Sequence, residues 1–155
     1  MLEIQPTNPI ETRHLIVALD EYQSTLYPAD SNHLDQIHEL QQDHVYFVAA
    51  KLDGNLVGCG AIKLLDDYGE IKRMYVSPAA RQQGIGKAIL AELESRAASQ
   101  GLHLVRLETG RLQTAAIQLY RSCGYRDVGP FGDYIEDPHS VFMEKRVRSP
   151  DASRL

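Results

Sequence analysis

The chain has 155 residues, 24% of them charged, and a formal net charge of −5, so there is no general excess of basic residues to track a phosphate backbone and a nucleic-acid surface is not expected. That length suffices for one domain with its own core, and the 2 cysteines, Cys59 and Cys123, lack CxxC spacing, which suits a reducing compartment and offers no structural zinc cluster. No apolar run approaches the roughly 20 residues that cross a bilayer, and "MLEIQPTNPIETR" lacks the regions of a leader peptide, so the expectation is a cytoplasmic protein without a membrane partner: one domain over residues 1–148 and a loose tail over 149–155.

In chain order, "LEIQP" reads as a short strand. Asn8 and Pro9 supply a cap and a first-turn proline for a helix through about Leu26, with Leu15, Leu19, Tyr22 and Leu26 at helical spacing. "YPADSN" breaks the chain. Ser31 or Asn32 can then cap a second short helix, in which Leu34, Ile37 and either Leu40 or Gln41 share a face. From Val45 the pattern becomes β-rich: "VYFVAAKL" and "LVGCGAIKLL" flank the hairpin signal Asp53-Gly54-Asn55, and "YGEIKRMYV" follows. Three such strands with short turns predict an antiparallel meander. Residues 84–100 carry Ile85, Ile89, Leu93 and Ala97 at spacing four, and Gly101 ends that helix. "HLVRLET" is a strand, "QTAAIQLYRSC" a helix stopped by Gly124, and residues 125–128 and 141–147 a closing strand pair. The order αα, βββ, α, β, α, ββ predicts an α/β fold of the α+β kind, with a mixed sheet covered by helices.

The stretch "RQQGIGK" admits three phosphate-binding readings, and spacing separates them. A P-loop needs GxxxxGK followed by a hydroxyl residue, but Arg81 stands at the first glycine and Ala88 at the hydroxyl. A dinucleotide fingerprint needs GxGxxG, yet Ile89 stands at the third glycine. The pattern that remains is RxxGxG between a strand and a helix, formed by Arg81, Gly84 and Gly86. Glycines there allow a tight turn that bares the first helical amides to an anion, with help from the helix dipole. Arg81 and Lys87 bracket the turn with positive charge, and a diphosphate is the natural guest. The plain alternative is a loop whose glycines serve only the turn.

This segment resembles the first motif of the GCN5-related N-acetyltransferases, the GNAT superfamily, and "AIQLYRSCGY" resembles that family's second helix motif, LYxxxGF or LYxxxGY. The likeness runs from about Val45 to Val147. It implies the GNAT fold: a mixed, mostly antiparallel sheet of about six or seven strands, about four helices, and two parallel strands splayed at the cofactor site. It also implies acetyl-coenzyme A as donor, held at its pyrophosphate by Arg81, Gln82, Gln83, Gly84, Ile85, Gly86 and Lys87, and along its pantetheine arm by the backbone at Met74 and Val76. Many relatives have an asparagine contacting the coenzyme where Gln113 stands here; its amide offers the same hydrogen bonds with one more rotatable bond. Dimers are common in the family, which leaves a homodimer open.

An amine acceptor with a pKa of about 10 has a usable lone pair in only about one molecule in a thousand at neutral pH, so a base is needed. Glu70 precedes Arg81 by eleven residues, the offset of the family's basic glutamate. It stands equally as a carboxylate at the start of a strand. Alternation places Glu70, Lys72, Met74 and Val76 on one strand face and Ile71, Arg73 and Tyr75 on the other. Tyr120 matches the family tyrosine that faces the sulfur as general acid, against an ordinary core tyrosine. Cys123 has no adjacent histidine and reads as a spectator thiol. The 6 histidines form no HExxH, and no metal site is expected.

The acceptor is expected where the strands of Glu70 and of Leu104 to Thr109 part. "GPFGDYIEDPHS", with Phe131, Tyr134, Glu136 and Asp137, would form one wall, and Tyr22, Tyr27 and Asp30 the other; aromatic and acidic side chains suit a cationic amine. The leading expectation is N-acetylation of a small amine. A protein or peptide amine, and a non-catalytic acyl-coenzyme A sensor, are the alternatives.

Overall fold

The computed structural model describes residues 1–26 and 37–148, leaving aside the side chains of Asp20 and of residues 22–26. Among the described residues a seven-stranded sheet runs β1-β2-β3-β4-β5-β7-β6. Its strands are β1 (Leu2–Pro6), β2 (Val45–Leu52), β3 (Asn55–Leu64), β4 (Gly69–Val76), β5 (Leu104–Gly110), β6 (Arg126–Val128) and β7 (Ser140–Arg146). The helices are α1 (Arg13–Leu26), α2 (Ile37–Leu40), α3 (Ile85–Ser99) and α4 (Thr114–Ser122). Neighbouring strands are antiparallel except β4 and β5, which run parallel. The mixed, mostly antiparallel sheet is therefore as expected, and β7 slots between β5 and β6. No described helix is long and apolar enough to cross a membrane.

Local chemistry accounts for the element boundaries. Asn8 Oδ1 accepts the Ile10 N–H at 3.0 Å, and Pro9 opens a 3-10 turn that leads into α1. Asp53 (φ 52°) and Gly54 (φ 84°) make a two-residue loop between the paired Leu52 and Asn55, so β2 and β3 close as a tight hairpin. The short helix is a single turn, α2, with Leu40 buried; Ser31, Asn32 and Leu34 lie outside the described residues.

Two apolar clusters cover the two sheet faces. On one face Ile85, Ile89, Leu90 and Leu93 of α3 and Ile117 of α4 pack on Val48, Ile62, Ile71, Val105 and Leu107. On the other, Leu15 and Ile16 of α1 and Leu40 of α2 pack on Phe47, Cys59 and Ala61.

The simple alternation expected for β4 does not hold along its length. Ala61 of β3 pairs with Lys72, but Cys59 pairs with Tyr75, so β4 carries one residue more than its partner, and Arg73 takes φ 58°. This bulge reverses the order of faces beyond it. Met74 and Val76 join Ile71 in the α3-side cluster, while Tyr75 joins the α1 side. Met74 and Val76 therefore do not share a face with Glu70 and Lys72, because a two-residue period survives only while every residue stays extended.

The parallel ladder of β4 and β5 is short. It pairs Gly69 with Val105, Glu70 with Arg106 and Ile71 with Leu107, and extends no further. Beyond Ile71 the two strands part.

Candidate active site

A glycine-containing turn with an uncapped helix end follows β4. After a 3-10 turn at Pro78–Ala80 the exposed residues Arg81, Gln82, Gln83 and Gly84 lead into α3. Gly84 is the N-cap with φ 78°, and a Cβ built there would meet nothing within 4 Å. The backbone conformation, not crowding, demands the glycine. No side chain caps this helix end, and the first bond back to the cap is Ala88 N–H to Gly84 O at 3.0 Å. The earlier amides of the first turn are helix-end donors backed by the dipole. Arg81 leans on the strand it follows: its Nε donates to Val76 O at 3.0 Å, and its guanidinium lies 5.7 Å from the Tyr75 ring centroid. Lys87 is exposed on the first turn.

Two loop residues have structural duties that the motif alone does not reveal. Ile85 is buried in the core, so only its backbone is available to a ligand. Gly86 faces α4, where an added Cβ would come within 2.9 Å of Leu119 Cδ2. The second glycine thus lets α4 approach the loop. Gln113 is the N-cap residue of α4, half-buried, and its side chain is not used as the cap.

On the opposite face of the sheet, Glu70 is 7% exposed, a buried carboxylate. The Tyr134 hydroxyl donates to its Oε2 at 2.7 Å. Lys72 Nζ donates to the Tyr134 oxygen at 3.1 Å and lies 3.6 Å from Glu70 Oε2. A buried charge requires such partners. Tyr134 is held in turn by edge-to-face contacts with Phe131 at 5.2 Å and Phe142 at 5.4 Å between centroids. The expected acceptor wall therefore reaches Glu70 through one side chain. Of its other members, Glu136 is exposed, and Asp137 Oδ1 accepts the His139 N–H at 2.8 Å, serving the turn. Tyr27 and Asp30, and the side chain of Tyr22, lie outside the described residues.

Tyr120 approaches from the α3 and α4 side. It is buried, edge-to-face with Tyr125 at 5.9 Å. Burial above all, with Glu108 and Cys123 adding to it, pushes its phenol well above the ordinary tyrosine range, so it keeps its proton at neutral pH. Cys123 closes α4 as its C-cap residue. The Cys59 thiol is pushed up to about 12 by burial, against an opposing influence from Arg73, which makes it inert.

Glu70 and Tyr120 thus lie on opposite sheet faces, Glu70 within the short ladder beyond which β4 and β5 part, and the turn at Gly84 leads from the far end of β4 into α3. Tyr134 is the functional candidate to which sequence reasoning gave no individual role. Its loop has no periodicity, and only the mixture of aromatic and turn-forming residues marked the region.

The model of the Acetyltransferase (GNAT) family matches residues 14–125. An IAA acetyltransferase of Azospirillum brasilense is 47% identical over 133 residues, covering 84% of this chain and 87% of that protein. A solved structure from Klebsiella pneumoniae, described as a candidate acyl-CoA N-acyltransferase, superposes with a TM-score of 0.81 at 40% identity, covering 95% of this chain and 98% of the other. The PaiA N-acetyltransferase of Thermoplasma acidophilum, solved in complex with coenzyme A, shares the fold at a TM-score of 0.74 and 21% identity, covering 94% of this chain and 99% of the other.

Proposed function

The chain belongs to the GNAT family of acetyltransferases, and we propose that it moves an acetyl group from acetyl-coenzyme A to the amine of a small molecule, by direct attack within a ternary complex. The observation that carries this reading is the uncapped N-terminus of α3, with left-handed Gly84, set beside the parting of β4 and β5. That arrangement fits the coenzyme: bare amides and the cations Arg81 and Lys87 suit a pyrophosphate, and the opened strand edge suits an amide-bearing arm.

Acetyl-coenzyme A supplies the acetyl group as a thioester. Gln82, Gln83, Gly84, Ile85, Gly86 and Lys87 hold the pyrophosphate through main-chain N–H groups. The backbone at Met74 and Val76, on the edge that β5 has left, positions the arm, and Gln113 adds a side-chain amide. Glu70 takes the proton released as the acceptor nitrogen forms its bond to the acetyl carbon. Tyr134, donating to Oε2, holds the carboxylate in one orientation for this role. Tyr120 supplies a proton to the sulfur as the carbon–sulfur bond breaks. The count balances: an acceptor that arrives as ammonium loses a first proton to solvent, a second passes to Glu70 as the nitrogen–carbon bond forms, one passes from Tyr120 to the thiolate, and exchange with solvent restores both groups.

A small acceptor is favoured over a peptide because the loop before β7 brings Tyr134 down onto Glu70, covering one side of the opening. The test is thiol release from acetyl-coenzyme A across a panel of small amines, with peptides of free N-terminus and lysine peptides in parallel. Turnover confined to peptides would overturn the small-molecule reading. Tight coenzyme binding without any turnover would favour the sensor.

A further inference from the structure

Arg106 stands directly across the parallel ladder from Glu70, on the neighbouring strand β5 and the same sheet face. Its guanidinium carbon lies 4.7 Å from the Tyr68 ring centroid and 5.6 Å from that of Phe131. The two rings meet edge-to-face at 5.6 Å. Arg106 Nε is buried and has no hydrogen-bond partner among the described residues. Three carboxylates are near in register and each has another partner: Glu70 accepts from Tyr134, Glu108 accepts from Ser140 Oγ at 2.7 Å, and Glu144, directly opposite Arg106 on β7, lies 3.9 Å from Arg126 Nη2.

Arg106 as a whole is half-buried, but its Nε is out of water without an acceptor, and stacking on rings returns little of what that donor loses, while the fork's outer N–H groups are the ones left for a ligand. The planar fork of N–H groups matches a carboxylate in two parallel bonds, and aromatic neighbours restrict the side chain before any ligand arrives. Adjacent strands are about 4.8 Å apart. A group bound at Arg106 and a group bound at Glu70 can therefore belong to one short molecule.

We propose that Arg106 binds a carboxylate of the acceptor, making the substrate an amino carboxylate whose nitrogen is presented to Glu70. The proposal rests on the N-acetyl-transfer reading and narrows it. The site is then complementary to a zwitterion: the carboxylate of Glu70 faces the ammonium end and the Arg106 guanidinium faces the acid end. Tyr68 and Phe131, both within cation–π range of the guanidinium, restrict the rotamers of Arg106.

The experiment compares free amino acids with their carboxamides and with the corresponding decarboxylated amines. Each is assayed for thiol release and titrated calorimetrically into the protein saturated with coenzyme A. The expected result is a preference for the free acids of 10²-fold or more in kcat/KM. Arg106→Gln is expected to raise KM for the acids by 10- to 100-fold with kcat changed little, to leave the carboxamides unaffected and to keep coenzyme A affinity at the wild-type value. Arg106→Lys should recover part of the loss. Equal use of acids and carboxamides by the wild type, or an equal loss for both in Arg106→Gln, would overturn the proposal. If no amine releases thiol, the transfer reading fails by itself, and the titrations still decide: acids binding at least tenfold more tightly than carboxamides support the role of Arg106, and equal or absent binding overturns it.

Discussion

Tyr134 donates its phenolic proton to Glu70 across 64 residues of chain, at 2.7 Å. A loop with no regular structure of its own thereby fixes the orientation of the carboxylate. Replacing Glu70 with Gln is expected to lower kcat by about 10²-fold or more while leaving the dissociation constant for coenzyme A unchanged. Tyr134→Phe keeps the ring contacts and removes one hydrogen bond, so a loss of about tenfold or less is expected. Wild-type turnover by Glu70→Gln across the pH range would remove Glu70 from the reaction.

Tyr120 keeps its proton because it is buried. Tyr120→Phe preserves the packing against Tyr125 and removes only the donor, so kcat should fall by about 10- to 100-fold with melting temperature nearly unchanged. Steady-state kinetics and a thermal melt on the same preparation check this. A variant that turns over normally would assign Tyr120 to the core alone.

Gly84 stands at φ 78° with open space around its missing side chain. Gly84→Val should therefore cost about 1–3 kcal/mol through backbone strain rather than collision, and should weaken coenzyme A binding by about tenfold or more by twisting the turn. Isothermal titration reads the affinity, and urea unfolding reads the strain. An unaltered dissociation constant would argue against the placement of the pyrophosphate.

Arg73 adopts φ 58° in the middle of a strand, and its replacements offer an internal control. Arg73→Val and Arg73→Gly both delete the long side chain, so the difference between them reports the backbone. Valine is the better strand former, yet Arg73→Val should be less stable than Arg73→Gly by about 1–3 kcal/mol in urea unfolding. The opposite order would mean that β4 straightens at no cost.

Stability should decline on the alkaline side. The Cys59 thiol is pushed from 9.0 up to about 12 by burial. An unfolded chain releases that proton near pH 9 while the folded chain keeps it. The contribution is thus fully present below pH 9 and is lost as pH rises through the window to about 12, at no more than ~1.4 kcal/mol per pH unit. Burial of Tyr125, reinforced by Glu94, acts in the same sense at higher pH. Urea unfolding from pH 7 to 11 should show the decline, and Cys59→Ala should flatten its first part.

Strands with unbroken β-rich runs, the α3 stripe of Ile85, Ile89, Leu93 and Ala97, and the Asn8–Pro9 helix start were legible because each depends on neighbours close in sequence. The turn at Gly84 was legible for the same reason. The bulge at Arg73 was not: no glycine or proline marks it within β4, and the offset arises from pairing with β3, where Gly60 lies at the shift. Nor could Tyr134 be singled out from Phe131, Glu136 and Asp137, because the contact with Glu70 is made by tertiary packing of an irregular loop. Arg106 carried no motif at all; its interest lies in which rings surround it and in a buried Nε to which no described residue offers an acceptor.

The extra residue in β4 has a further consequence for how this segment tolerates change. Inserting a single residue between Lys72 and Met74 would keep good local strand propensity, yet with the one bulge retained it would turn Met74 and Val76 to the other sheet face, that of Glu70. Insertions and deletions are usually absorbed by loops; here the count of residues within a strand decides which face Met74 and Val76 take, and sequence variation at this point should favour exchange of side chains over insertion.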